Sequence, residues 1–134
     1  MPSVFTWPVR VYYEDTDAGG IVFYANYLKF FERARTEWLR AAGIGQQDLI
    51  ASDNAGFVVK SATIDYHAPA RLDDEITLTL AVEKLGRASV QFAQKAYRGD
   101  QLLAEASVKV GCVDLASVRP RSLPGHVADK MRAA

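Results

Sequence analysis

Apolar residues change their spacing once along the chain, near residue 57, from a helical period to a period of two. Between Ala25 and Ala42, Tyr27, Phe31, Ala34, Trp38 and Ala41 form one stripe, flanked by Lys29, Glu32, Arg33, Arg35, Glu37 and Arg40. That spacing predicts an amphipathic helix over 25–42, about 27 Å long, ended by Gly43 as a left-handed cap. Before it, Val9 and Val11 alternate with Arg10 and Tyr12, which predicts a first strand over Pro8 to Glu14. After it, Gln46 to Ala51 reads as a short second helix, and Ser52 to Gly56 as a loop.

The second half reads as long strands. Phe57 to His67 is mixed, whereas Ile76, Leu78, Leu80 and Val82 alternate cleanly with Thr77, Thr79, Ala81 and Glu83. Ala88, Val90 and Phe92 mark the inward face of the next strand; Leu102, Ala104, Ala106, Val108, Val110 and Cys112 mark that of the last. Turns are expected at Arg71-Leu72-Asp73-Asp74, Leu85-Gly86-Arg87 and Arg98-Gly99-Asp100-Gln101. Arg119 to Pro124 breaks the pattern, and Gly125 to Ala134 is at most a short terminal helix or a frayed tail. One strand, a long helix and four more strands predict an α+β domain over 1–134, one antiparallel sheet wrapping one helix. Such a layout leaves two sheet edges open, so edge pairing predicts a homodimer, with a dimer of dimers as the larger assembly.

Composition narrows the partners. At 134 residues with 49% hydrophobic content, the chain is long enough for one core and short for two. Sixteen basic and sixteen acidic residues cancel, which argues against nucleic acid or a membrane surface as a general partner. Cys112 is the one cysteine and lies in an apolar run, so a buried side chain and a cytoplasmic location are expected. No apolar run reaches the ~20 residues that span a bilayer, and no secretory leader is read at the start.

The candidate chemistry lies where Tyr13-Glu14-Asp15-Thr16-Asp17-Ala18-Gly19-Gly20 leads into the long helix. Helix starts carry unpaired N–H groups and partial positive charge, so a carboxylate beside one can act on an electrophile that the amides polarise. Asp17 also suits a turn or a helix cap. Gly19 and Gly20 permit close approach of a ligand to backbone. Glu14 and Asp15 read as residues of a solvated loop. Glu32 is read as a partner of Arg35 or Lys29 at helical spacing. His67 and His126 lack metal-ligand or triad spacing, so no metal is expected, and Ser61 lacks a Gly-x-Ser-x-Gly context.

The run from Tyr13 to Val22, with Tyr24, Asn26, Tyr27 and Phe31-Glu32-Arg33-Ala34-Arg35, resembles the signature of hotdog-fold acyl-CoA thioesterases of the 4-hydroxybenzoyl-CoA thioesterase family, in particular its Tol-Pal-associated branch. The resemblance extends through Trp7-Pro8-Val9-Arg10-Val11, Pro69-Ala70-Arg71-Leu72-Asp73-Asp74 and Cys112-Val113-Asp114, hence over nearly the whole chain. It implies a hotdog fold, a five-stranded antiparallel sheet around one long helix. It also implies hydrolysis of short-chain or aromatic acyl-CoA thioesters, with Asp17 as nucleophile or general base and the Tyr24 backbone N–H on the carbonyl. Many relatives carry histidine where this chain has Tyr24. By analogy Val59, Lys60 and Ser61 flank the pantetheine. The phosphates of coenzyme A direct attention to Lys60, Arg71, Lys84, Arg87, Arg98 and Lys109 at a subunit boundary, Arg87 first. Coenzyme A is then part of the substrate, and no separate cofactor is expected. Alternatives are an acyl-carrier-protein-binding or Tol-Pal-linked envelope scaffold with incidental hydrolysis, and a hotdog dehydratase, for which both histidines are badly placed.

Overall fold

A computed structural model describes residues 4–133. Strand β1 (Phe5–Arg10) is followed by a 3-10 turn at Tyr13–Asp15, helix α1 (Asn26–Ala41) and helix α2 (Gln46–Asp53). Strands β2 (Ala55–Tyr66), β3 (Glu75–Leu85), β4 (Ser89–Arg98) and β5 (Gln101–Asp114) come next, then the two-residue β6 (Arg119–Pro120) and helix α3 (Gly125–Ala133). The long strands are antiparallel in the order β1-β3-β4-β5-β2, and β6 pairs with β5 beside it. The five expected strands are therefore present, and β6 is an addition within the segment expected to break the pattern. Among the described residues, no helix is long and apolar enough to cross a membrane.

α1 buries Tyr27, Phe30, Phe31, Ala34, Trp38 and Leu39 against the sheet. Trp38 packs edge-on against Phe92 of β4, ring centroids 5.4 Å apart. Each fully buried aromatic of this kind stabilises by about 2–3 kcal/mol relative to exposure. Ala41, expected on the stripe, is exposed. The helix ends there, with Gly43 at φ +83° and Ile44 N–H turned back to Leu39 O at 2.8 Å, so Leu39 and Ile44 take the buried places.

β1 starts earlier than expected and stops at Arg10. Val11 N–H donates to Asp74 O, and the chain then coils, so Tyr12 to Glu14 leave the sheet. Pro8 lies opposite Thr77 on this edge strand, where its missing N–H costs no ladder bond between strands inside the sheet. Ala88 precedes β4, and the inward face of that strand continues from Val90 and Phe92 to Gln94 and Ala96. Gln94 is fully buried. Its Nε2 donates to Phe31 O at 3.0 Å and its Oε1 accepts from Arg35 at 3.0 Å, so one polar side chain ties β4 to the middle of α1.

The mixed character of 57–67 has a geometric cause. β2 faces Val110 with Val59 but Lys109 with Ser61, so Lys60 is an extra residue, a β-bulge. Before it, Phe57 and Val59 lie opposite the buried Cys112 and Val110; after it, Ala62, Ile64 and Tyr66 lie opposite the buried Val108, Ala106 and Ala104. One inserted residue thus switches the inward positions from odd to even numbers. At the other end of the chain, α3 buries Val127 and Met131, one turn apart.

Candidate active site

The segment between β1 and α1 is built on a buried carboxylate. Asp15, expected on a solvated loop, is only 3% exposed. Its Oδ2 accepts the Tyr12 N–H at 2.8 Å and its Oδ1 accepts Asn26 Nδ2 at 3.0 Å. Its carbonyl also accepts the Phe23 N–H at 3.0 Å. Satisfying three donors from both sides of the loop is what draws Asp15 inside. Glu14 is exposed, as expected.

Asp17 opens the tight turn that follows. Thr16 bridges Val22, Asp17 N–H donates to Ile21 O, and Gly20 N–H donates to Asp17 O, with Gly20 at φ +80°. The Gly19 N–H donates to Asp17 Oδ1 at 2.8 Å. Oδ2 has no hydrogen-bond partner among the described residues, and the side chain is exposed. The carboxylate is therefore oriented through one oxygen and open through the other.

The second arm of this hairpin rests on the loop before β3. Val22 N–H donates to Ala70 O at 2.8 Å, and Ile21 bridges Arg71. Asp74 braces that loop, accepting the Arg71 N–H at 2.8 Å and Arg98 Nη1 at 2.7 Å. The Arg71 N–H, aided by the Arg98 guanidinium, holds the Asp74 carboxyl below the usual aspartate range, against an opposing contribution from burial. Arg98, a candidate for phosphate binding, is committed here, since it also donates to Pro69 O and Gln101.

The hairpin delivers the chain to the start of α1. Ala25, in the cap position, offers no side-chain bond. Among the described residues, the N–H groups of Tyr24 and Ala25 meet no acceptor. The Tyr24 side chain is 66% exposed and packs against Phe23 and Tyr66. The Thr16–Val22 bridge and the Phe23 N–H to Asp15 O bond bring Asp17 and Tyr24 onto the two arms of one hairpin.

A groove runs along α1 on its β2 side. Leu28, Lys29, Glu32, Arg35, Val59 and Val108 line it, and a cavity of about 120 Å³ that shares Glu32, Arg35 and Val59 is bounded also by Leu39, Phe92 and Met131. Burial pushes the Arg35 guanidinium pKa down, with Glu32 acting the other way. Glu32 forms no ion pair with Arg35 or Lys29 among the described residues; its Oε1 accepts from Thr36 Oγ1 at 3.5 Å. Arg35 has turned instead to Gln94.

The remaining candidates separate. Val59 lines the groove, whereas Ser61 pairs opposite Lys109 on the other face. Lys60 bends over Gly111, where an added Cβ would stand 2.6 Å from Lys60 Cε. Arg87 lies in the β3–β4 turn, its Nε on Ser122 Oγ at 2.9 Å. That turn is at the far end of β3 from the Asp17 loop, roughly 35 Å along an 11-residue strand. Within one chain Arg87 and Asp17 are therefore apart. His67 lies 3.6 Å from Glu105 and His126 3.9 Å from Asp53, and neither pairs with Asp17. No cluster of three metal-type ligands occurs among the described residues. Cys112 is fully buried, as expected, and burial raises its thiol pKa.

Tyr66 and Asn26 join this site without standing out as individual residues in the sequence. Asn26 is a polar residue at an inward helical position, which is a readable signal of a buried partner. The bulge at Lys60 disguises the face on which Tyr66 lies.

A single antiparallel sheet wrapped on one long helix is the architecture of hotdog-fold thioesterases. Residues 19–105 match the thioesterase superfamily. The chain is 48% identical over 123 residues to the acyl-CoA thioesterase YbgC of Haemophilus influenzae, covering 92% of this chain and 90% of that protein. It is 45% identical over 131 residues to the acyl-CoA thioester hydrolase YbgC of Escherichia coli O6:H1, covering 97% of both. A crystal structure of a probable thioesterase from Bartonella henselae superposes with a TM-score of 0.87 at 32% identity, covering 91% of this chain and 100% of that one. The chain belongs to the thioesterase superfamily.

Proposed function

We propose that this protein hydrolyses acyl-CoA thioesters, with short-chain or aromatic acyl groups, and that Asp17 is the reacting carboxylate. The observation that carries this reading is the open Asp17 Oδ2 on the same hairpin as the unpaired Tyr24 N–H. The thioester carbonyl oxygen accepts from the Tyr24 N–H, and charge developing there is stabilised by the helix start. Asp17 then acts in one of two ways. As nucleophile it adds to the carbonyl carbon, the C–S bond breaks, and water cleaves the resulting mixed anhydride. As general base it takes a proton from the water that adds, and coenzyme A leaves as thiolate to be protonated. The low basicity of a thiolate lets either route run without a strong acid beside the sulfur. Gly19 and Gly20 leave room for the acyl carbonyl to approach the turn.

The groove along α1 suits the acyl group, and Val59, which lines it, is the proposed side-chain contact for pantetheine, with Lys60 and Ser61 proposed to meet it through the open edge of β2. Arg87 is proposed to reach the phosphates of a substrate held by a neighbouring chain, because it is remote from its own Asp17. The exposed edge of β2, which carries Val58 and Val59 at 39% and 51% exposure, supports pairing into a homodimer and a dimer of dimers. A cytoplasmic location and the absence of a separate cofactor complete the reading.

Asp17→Asn tests it. The variant keeps the Gly19 N–H bond and is expected to lose about 10²-fold or more in kcat on the acyl-CoA that wild type turns over best. Unchanged turnover would remove Asp17 from the chemistry. Single turnover in H₂¹⁸O tests the nucleophilic route: water adding at the Asp17 carboxyl carbon of the anhydride leaves the label in Asp17, an outcome the general-base route cannot give. Tight capture of acyl-carrier protein with negligible turnover of every thioester would favour the Tol-Pal-linked scaffold instead.

A further inference from the structure

The start of α1 is tethered from outside the helix. Leu28 N–H donates to Ala25 O at 3.1 Å, a tightened first turn, and the Tyr24 carbonyl, one residue before the N-cap, lies outside the helical ladder. It accepts instead from the Tyr66 hydroxyl at 2.7 Å. Tyr66 ends β2, and the Lys60 bulge is what turns it to the helix side of the sheet. Its ring meets Tyr24 at 6.3 Å and Tyr27 at 5.6 Å between centroids, both edge-on, which fixes where the hydroxyl points.

The Tyr24 carbonyl is one end of a peptide plane whose other end is the Ala25 N–H; the Tyr24 N–H belongs to the preceding plane, whose Phe23 carbonyl accepts the Asn26 N–H at 2.8 Å. Both N–H groups lack acceptors among the described residues. A donor on the carbonyl polarises the peptide and strengthens its N–H. We propose that Tyr66 is a positioning residue for thioester hydrolysis: its hydroxyl, held on the Tyr24 carbonyl, keeps the Ala25 N–H directed, beside the Tyr24 N–H, at the substrate's carbonyl oxygen. This rests on the reading in which that oxygen binds at the helix start. Tyr66 acts through Tyr24 and does not touch the reacting atoms. Burial, and then the nearby Tyr24, raise the Tyr66 pKa, so the hydroxyl stays a donor throughout the neutral range.

Tyr66 is 46% exposed, so water can replace its hydroxyl and stability is little affected by losing it. The effect of removal falls on the transition state, where the oxygen gains charge. Tyr66→Phe, with Tyr66→Leu beside it, is assayed in the full chain on benzoyl-CoA and a para-substituted benzoyl-CoA series. Tyr66→Phe is expected to lower kcat about tenfold with KM within about twofold, and to widen the kcat ratio between the nitro and methoxy substrates, since carbonyl polarisation is then left more to the substituent. Tyr66→Leu, which also removes the ring, raises KM in addition. Wild-type kcat in Tyr66→Phe, or a rise in KM alone, overturns the proposal. Asp17→Asn run in parallel separates the two ideas. Lost turnover there with unchanged Tyr66→Phe removes only the role of Tyr66, whereas retained turnover there with impaired Tyr66→Phe removes Asp17 and keeps the tether.

Discussion

The Asp15 carboxylate, buried between β1 and α1, accepts the Asn26 side-chain amide across 3.0 Å, and this bond joins the loop that carries Asp17 to helix α1. Asp15 is two residues before Asp17 and Asn26 is two after Tyr24, so the pair closes a loop with one candidate group near each end. A charged acceptor with two amide donors in a site closed to water is directional and strong. The open carboxylate of Asp17 is thereby carried on a fixed base, although its own side chain is exposed.

Asp15→Ala is therefore expected to cost about 2–4 kcal/mol of unfolding free energy, because it strands the Tyr12 N–H and the Asn26 amide in a buried site. Urea unfolding measures this as a lower midpoint at unchanged slope. Activity should fall further than the folded fraction does, since the loop loses its base. A variant as stable and active as wild type would show that the buried carboxylate is not what holds the loop.

Gly19→Ala probes the carboxylate from its other side. An added Cβ would stand 3.2 Å from Asp17 Oδ1, tighter than ordinary contact, so the carboxylate must yield by a few tenths of an ångström. The turn is exposed, and stability should change by no more than about 0.5 kcal/mol. Misplacement of a reacting group by about 1 Å can cost about 10²-fold, so a shift of this smaller size is expected to lower kcat several-fold. Gly20→Ala differs, because φ +80° itself disfavours a side chain, at about 1 kcal/mol. Parallel thermal melts and kcat values separate the two substitutions, the first losing rate and the second stability.

What the sequence makes legible follows from periodicity. α1 is readable because a six-residue buried face recurs at helical spacing, and β3 because Ile76, Leu78 and Leu80 alternate without interruption. β2 is not, since the extra residue at Lys60 reverses its alternation halfway, and a bulge has no composition of its own. Asp17 is found by its glycine turn and by resemblance. Asp15 is missed because an aspartate in a polar run looks solvated, and only tertiary structure supplies its two donors. Gln94 escapes for a related reason, being an inward polar position on a strand otherwise filled with apolar and small residues.

Asp74 makes the support of the loop sensitive to acid. Its folded pKa lies below the ordinary value, chiefly because the Arg71 N–H and then Arg98 favour the anion. A depressed carboxyl contributes stability that is complete above its unfolded pKa and is lost as pH falls through the folded one. The window accordingly lies below about pH 4. Asp74→Asn should flatten the fall in thermal midpoint across that range while lowering it at pH 7. An identical acid slope in wild type and variant would assign the acid sensitivity elsewhere.

Gln94 and Arg35 are expected to be coupled energetically. Gln94→Leu fills the space but leaves the half-buried Arg35 guanidinium without its 3.0 Å acceptor, at about 1.5–3 kcal/mol. Arg35→Met leaves Gln94 Oε1 unpaired in the core and should cost about 1–3 kcal/mol. In the double variant the polar atoms vanish together and an apolar pair remains, so its loss should fall short of the sum of the single losses by about 1 kcal/mol or more. The double-mutant cycle, read by urea unfolding, reports that shortfall directly. Strict additivity would mean that β4 is held to α1 by apolar packing such as Trp38 on Phe92, with the buried polar link contributing nothing of its own.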